Sequence, residues 1–140
     1  MTTTVPLSLA AATQLLKSLS DESRLRIVHL LLRKFEMCVS DLEVILDFTQ
    51  TKTSRHLTYL KNAGLVSRRK LDQRTFYTIS EEMLPLIEQL FSYVDTAEAT
   101  FNKDLETYQI LYATEELAIS RIHKARWEAE KKKEEEVQKD

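Results

Sequence analysis

Between Thr49 and Lys70 the chain reads TQTKTSRHLTYLKNAGLVSRRK, with Lys52, Arg55, Lys61, Arg68, Arg69 and Lys70 and not one acid. Clustered cations of this kind break no bonds. Their chemistry is to hold a polyanion, because each positive side chain can neutralise one phosphate or carboxylate. Charge alone fits a solvated basic face equally well, so the pattern around the cluster has to decide. Nothing else in the chain suggests catalysis. No nucleophile–base pair or metal cluster is visible, and the hydroxyls lack a spaced histidine and acid to activate them. No enzyme and no cofactor are expected.

The cluster stands out against an acidic background. The 140-residue chain has a net charge of -2. Residues 49–80 carry seven bases against Asp72 alone, a net of +6, whereas residues 81–140 carry eight bases and fifteen acids. The apolar fraction is 43%, enough for one core. No run approaches the roughly 20 apolar residues of a membrane-spanning helix, so no membrane partner is expected. The first basic residue is Lys17, so the start lacks the positive region of a secretory leader. Cys38 is the single cysteine, which leaves no internal disulfide framework; the expected setting is the cytoplasm.

One glycine and two prolines favour helices over tight turns. Leu9, Ala12, Leu15, Leu16 and Leu19 recur at helical spacing. Asp21 is placed to cap a second helix, whose apolar stripe is Leu25, Val28, Leu32 and Phe35, with Glu22 in its first turn. Ser40 and Glu43 have the spacing of a capping box for a short third helix ending near Asp47 or Phe48. Thr49 can cap a fourth, and Gly64 sits where a left-handed residue closes it. LVSRRK and RTFYTIS then read as two short strands around a turn at LDQ. Past Pro85 no proline or glycine interrupts the pattern, and Ile87, Leu90, Val94, Ala97 and Phe101 predict one long helix. That stripe is too long to bury against one small domain and suggests a second chain. The charged end, EAEKKKEEEVQKD, reads as a fraying helix or a disordered tail.

Short helix, turn, helix and two-stranded hairpin is the order of a winged helix-turn-helix. The expected class is mainly α with a small two-stranded β wing and a long C-terminal dimerisation helix. The helix starting at Gln50 would enter the major groove of double-stranded DNA. Gln50, Thr51 and Lys52 would meet base edges, and Ser54, Arg55 and His56 bases or flanking phosphates. Leu57 and Leu60 would hold the helix down. Arg68, Arg69 and Arg74 on the wing would follow the backbone.

LKSLSDESRLRIVHLLL, SDL, the basic stretch and RTFYTIS together resemble the ArsR/SmtB-type winged-helix repressors of bacteria over roughly residues 14 to 95. The most specific part is Gln50, Ser54, Arg55, His56, Leu57, Leu60, Ala63, Gly64, Leu65 and Val66. The resemblance implies a homodimer that pairs through its first and last helices, with Leu9, Leu16, Ile87, Leu90, Val94 and Phe101 as the seam, and binds a palindromic operator. It implies an inducer too, which the sequence does not identify. Many members carry the metal box Glu-Leu-Cys-Val-Cys-Asp-Leu. Here it reads Glu36-Met37-Cys38-Val39-Ser40-Asp41-Leu42, with one thiolate where soft ions want two or three. Cys38 is therefore a weak metal candidate and reads more simply as a small apolar residue. His29 reads as a packed residue, and His123 lies outside the resemblance. Two units are expected: the DNA-binding and dimerisation domain over 1–103, and a helical extension over 104–140. Two other readings are a winged-helix protein-interaction module without DNA, and a metal- or redox-responsive repressor using Cys38.

Overall fold

The second helix forms the centre of the molecule because five successive residues, Ile27 to Leu31, are buried on it. The structure, a computed structural model, describes residues 6–139; the first five residues of the predicted 1–103 unit and Asp140 of the predicted tail lie outside the described residues. In chain order the elements are α1 (Leu9–Leu19), α2 (Glu22–Lys34), β1 (Glu36–Cys38), α3 (Val39–Leu46), α4 (Gln50–Asn62), β2 (Val66–Leu71), β3 (Arg74–Ile79), a 3-10 turn (Glu81–Met83), α5 (Leu84–Ser92), α6 (Ala99–Ala113) and α7 (Ala118–Gln138).

Local signals set the helix ends. The Asp21 carboxylate accepts from the Arg24 amide at 3.0 Å and the Thr49 hydroxyl from the Lys52 amide at 3.1 Å. Each supplies a partner that the first turn of a helix lacks. Gly64 adopts φ 78°, and the Leu65 amide behind it reaches back to the Leu60 carbonyl at 3.0 Å. The wing turns on Asp72 and Gln73, at φ 51° and 65°, a two-residue loop made without glycine.

Three expectations are corrected. The sheet has three strands, in the order β1-β3-β2, all antiparallel. Phe35 reverses the chain at φ 76°, and Met37 then pairs with Tyr77 and is fully buried. The single long helix after Pro85 is instead α5, α6 and α7. Side chains take over the helical bonds at the breaks: Ser92 Oγ donates to the Gln89 carbonyl at 2.6 Å, and Asp95 Oδ1 accepts from the Ala97 amide at 3.1 Å. The second break follows Thr114, whose hydroxyl donates to the Ile110 carbonyl at 3.1 Å, and Glu115 lies at φ 61°. Lastly, Ser40 and Glu43 do not form a capping box. α3 starts at Val39 with Cys38 in the cap position and no side-chain cap bond. Ser40 lies inside the first turn, and its hydroxyl accepts from Arg74 Nη1 at 3.0 Å.

Two buried carboxylates fasten α6 and α7 to the rest. α6 runs across the predicted boundary between residues 103 and 104. Asp104 on α6 is buried and takes a two-point bond from Arg26 on α2, with Nε to Oδ2 at 3.0 Å and Nη2 to Oδ1 at 2.8 Å. Asp41 on α3, also buried, accepts from the Ala118 and Ile119 amides at 2.8 and 3.0 Å. It thereby caps α7 from another element, where α7 has no capping side chain of its own. Leu117, Ala118 and Ile119 enter the core, but α7 is exposed from Lys124 onward. His29 is fully buried against Phe101 and Phe91, ring centroids 4.6 and 5.5 Å away, with no hydrogen-bond partner for either nitrogen. No helix among the described residues is long and apolar enough to cross a membrane.

Asp41→Ala strands two buried amides and should lower unfolding stability by about 2–4 kcal/mol; urea denaturation measures this, and a loss indistinguishable from zero refutes the cap. Burial, with Arg33 adding to it against Asp104, pushes the His29 imidazole below its ordinary value of 6.5. As pH falls through that value the unfolded chain takes up the proton first, so this part of stability is whole above pH 6.5 and is lost below it. Denaturation curves at pH 7 and pH 5 should show His29→Leu flattening that loss.

Candidate nucleic-acid interface

α4 is anchored by its apolar side. Leu57 and Leu60 are fully buried, as is Thr53, whose hydroxyl donates to the Thr49 carbonyl at 2.9 Å. With those positions turned inward, the helical repeat leaves Gln50, Thr51 and Arg55 exposed, and Lys52, Ser54 and His56 half-buried. The unpaired amides of the first turn make this end of the helix electropositive. Lys52 adds to it, its Nζ held 3.9 Å over the Phe48 ring. No acid lies in the first turn.

His56 has a defined state. Burial pushes its imidazole below the ordinary value; Arg24, Lys52 and Arg55 reinforce this and Asp21 opposes it. The ring is therefore neutral near pH 7. Arg24 Nη1 lies 3.4 Å from His56 Nδ1. A guanidinium can only donate, so Nδ1 accepts and the proton sits on Nε2. That Nε2–H has no hydrogen-bond acceptor among the described residues and is available to a ligand.

Arg24 was not singled out by sequence, although it joins three elements. Its Nε donates to the Ser18 carbonyl at 2.7 Å and its Nη2 to the Lys17 carbonyl at 3.2 Å, both at the end of α1. The guanidinium also lies 4.1 Å from the centroid of the Tyr59 ring on α4. Burial works to raise the Asp21 carboxyl, but the Arg24 amide and guanidinium outweigh it and hold that group below its usual range. The three-residue spacing from Asp21 to Arg24 was the only legible hint.

The wing cations are not equivalent. Arg68 is exposed and forms no ion pair among the described residues. Arg69 is tied to Glu36 on β1, Nη2 to Oε2 at 2.7 Å. Arg74 donates to Ser40 and shares with Gln50 and Cys38 a cleft of about 220 Å³. The structure thus brings Gln50 and Arg74 to one place and turns Arg69 partly back onto the sheet. Cys38 is buried, and that burial pushes its thiol up, opposed by a contact of 3.3 Å with Ser40 Oγ. Among the described residues no group of three or more His, Cys, Asp and Glu is arranged to hold a metal ion.

The predicted seam residues divide. Leu9 and Leu16 on α1 are 86% and 66% exposed, and Leu90 and Val94 are half-buried. Ile87 and Phe101 are turned into the protomer's own core. Leu86 on α5 and Tyr93 at its C-terminal cap, which the sequence reading omitted, present exposed apolar surface.

The sequence profile described as "Bacterial regulatory protein, arsR family" matches residues 21–68. The cadmium resistance transcriptional regulatory protein CadC of Listeria innocua is 42% identical over 73 residues, 51% of this chain; the match spans 61% of that relative's length. The transcriptional activator HlyU of Vibrio cholerae is 38% identical over 86 residues, covering 59% of this chain and 79% of the relative. Among solved structures, the homodimeric winged helix-turn-helix DNA-binding domain Mb0332 of Mycobacterium bovis, described as a possible ArsR-family regulator, superposes with a TM-score of 0.58 at 28% identity, over 64% of this chain and 82% of that one. With a capped and anchored α4, a wing behind it and relatives that share the arrangement, the chain belongs to the arsR family of bacterial regulatory proteins.

Proposed function

We propose that this protein is a sequence-specific DNA-binding transcriptional regulator that acts in the cytoplasm as a homodimer on a palindromic operator. Repression is the action we assign to it, since a dimer seated on an operator blocks access to the duplex. The observation that carries the reading is the exposed N-terminal face of α4, free of acids and mounted on buried Leu57 and Leu60. Gln50, Thr51 and Lys52 read base edges; Ser54, Arg55 and the His56 Nε2–H contact bases or phosphates. Arg68 and Arg74 follow the backbone. Arg69 contributes less than its neighbours, because Glu36 already neutralises it. The seam is built from Leu9 and Leu16 of α1, from Leu86 and Leu90 of α5 and from Tyr93 at the end of α5, with Val94 at its edge and Ile87 and Phe101 packed beneath it. The exposure of Leu9, Leu16 and Tyr93 supports this, as does the homodimeric state of the Mycobacterium bovis relative.

No catalytic step belongs to this reading. A Cys38-based metal or redox sensor is disfavoured by a buried thiol held in its neutral form. A protein-interaction module without DNA is the second reading, supported by the long exposed part of α7.

Lys52→Ala and Arg55→Ala should each weaken operator binding by about tenfold while sedimentation still reports a dimer, since a groove or phosphate contact is worth about 1–3 kcal/mol. Unchanged affinity in both variants would return the chain to the second reading. The salt dependence should discriminate between the wing residues: Arg68→Ala should reduce the slope of log K against log salt by about one. Arg69→Ala should reduce it by less.

A further inference from the structure

α6 and α7 enclose a cleft of about 630 Å³, far from α4 in sequence and beyond the residues that the family profile matches. That volume lies within the range of small-molecule sites. Its walls are aromatic: Tyr112 from α6, His123 and Trp127 from α7. The Tyr112 hydroxyl and His123 Nδ1 are 2.8 Å apart and bridge the two helices. Tyr108 backs Tyr112 with its ring centroid 5.6 Å away and the planes inclined by 22°. One wall is thus set before any ligand arrives. Trp127, one turn beyond His123 on α7, also lines the cleft and is 61% exposed, on a stretch of helix that is mostly charged from there on.

The charged groups of the cleft are Lys124 and Glu115. Lys124 Nζ meets Glu115 Oε1 at 2.8 Å, both side chains about half exposed at 53% and 47%. A pair that open to water holds its partners loosely. Its carboxylate partner can therefore be exchanged for another. The same geometry speaks against an organic cation, because Lys124 lines the cleft and the Lys131 ammonium already lies 5.0 Å from the Trp127 ring.

We propose that the α6–α7 cleft binds a planar aromatic carboxylate, its ring between Tyr112 and Trp127 and its carboxylate taking the place of Glu115 on Lys124. The site stands on the cleft alone and does not depend on DNA binding, so the two proposals fail separately. Trp127 is the only tryptophan of the chain, so its emission reports on this cleft and nothing else. The experiment titrates the full chain with 1-naphthoate, reads Trp127 emission corrected for ligand absorbance, and confirms stoichiometry by calorimetry. The neutral 1-naphthalenemethanol and the cationic 1-naphthylmethylamine are the comparison ligands. Saturable binding of one 1-naphthoate per chain is expected, with the alcohol and the amine each weaker by about tenfold or more, the scale of one charge-assisted hydrogen bond. Lys124→Gln should weaken 1-naphthoate by a similar factor and leave the alcohol unchanged. Trp127→Leu, followed by calorimetry, should weaken both. Either position is exposed enough for the variants to fold, and Lys139→Gln serves as a control that should bind as the parent does. No saturation at millimolar 1-naphthoate, preference for the amine, or full affinity in Lys124→Gln overturns the site.

Discussion

A carboxylate cannot enter an apolar interior without donors to meet it, and Asp41 is carried there by α3. The donors that meet it are the first amides of α7, from residues 77 and 78 positions further along the chain. This one requirement determines where the C-terminal part of the molecule must go. α7 has to begin over α3, so α6 has to return across α2 to deliver it. Asp104 meets the same requirement on the return path with the Arg26 guanidinium, its fork matching both oxygens. Breaking a buried arrangement of this kind leaves desolvated groups without partners, whereas an exposed pair such as Lys124–Glu115 is replaced by water at little cost. The two buried acids, not the surface charges, therefore locate α6 and α7.

The candidate interface depends on the opposite arrangement. α4 is fixed by apolar contacts at Leu57 and Leu60, by its Thr49 cap and by the turn at Gly64. None of the polar residues at its exposed start is needed to hold it in place. Gln50, Thr51 and Arg55 are consequently free to meet something outside the protein. Where the fold does recruit a cation, as Glu36 recruits Arg69, that cation is partly withdrawn from the surface.

Much of this was legible because it is local. Asp21 and Thr49 stand immediately ahead of apolar helical periods, and Gly64 is the only residue of its kind in the chain. The wing strands alternate β-branched, aromatic and charged residues around a short polar turn. What escaped the sequence reading depends on partners remote in the chain or on signals weaker than proline and glycine. β1 has three residues, too few to show a period, and exists because β3 lies beside it. The breaks after α5 and α6 are made by Ser92, Asp95 and Thr114 bonding to nearby backbone, which an uninterrupted apolar stripe conceals. Ser40 and Glu43 have the spacing of a capping box, yet the helix begins before Ser40, and Arg74, 34 positions away, takes the hydroxyl. At the candidate interface the residue types were legible, but the tautomer of His56 was not, because Arg24 sets it from 32 positions away.

Arg24 has one further consequence. Its guanidinium grips the closing carbonyls of α1 while it touches a ring nitrogen and a ring face of α4. The outer side of α1 is the apolar strip that carries Leu9 and Leu16. A single planar group is therefore a rigid spoke between the helix that would meet a second subunit and the helix that would meet the duplex. Any roll of α1 would pull on this guanidinium and so be felt on α4, through one side chain and not through the core.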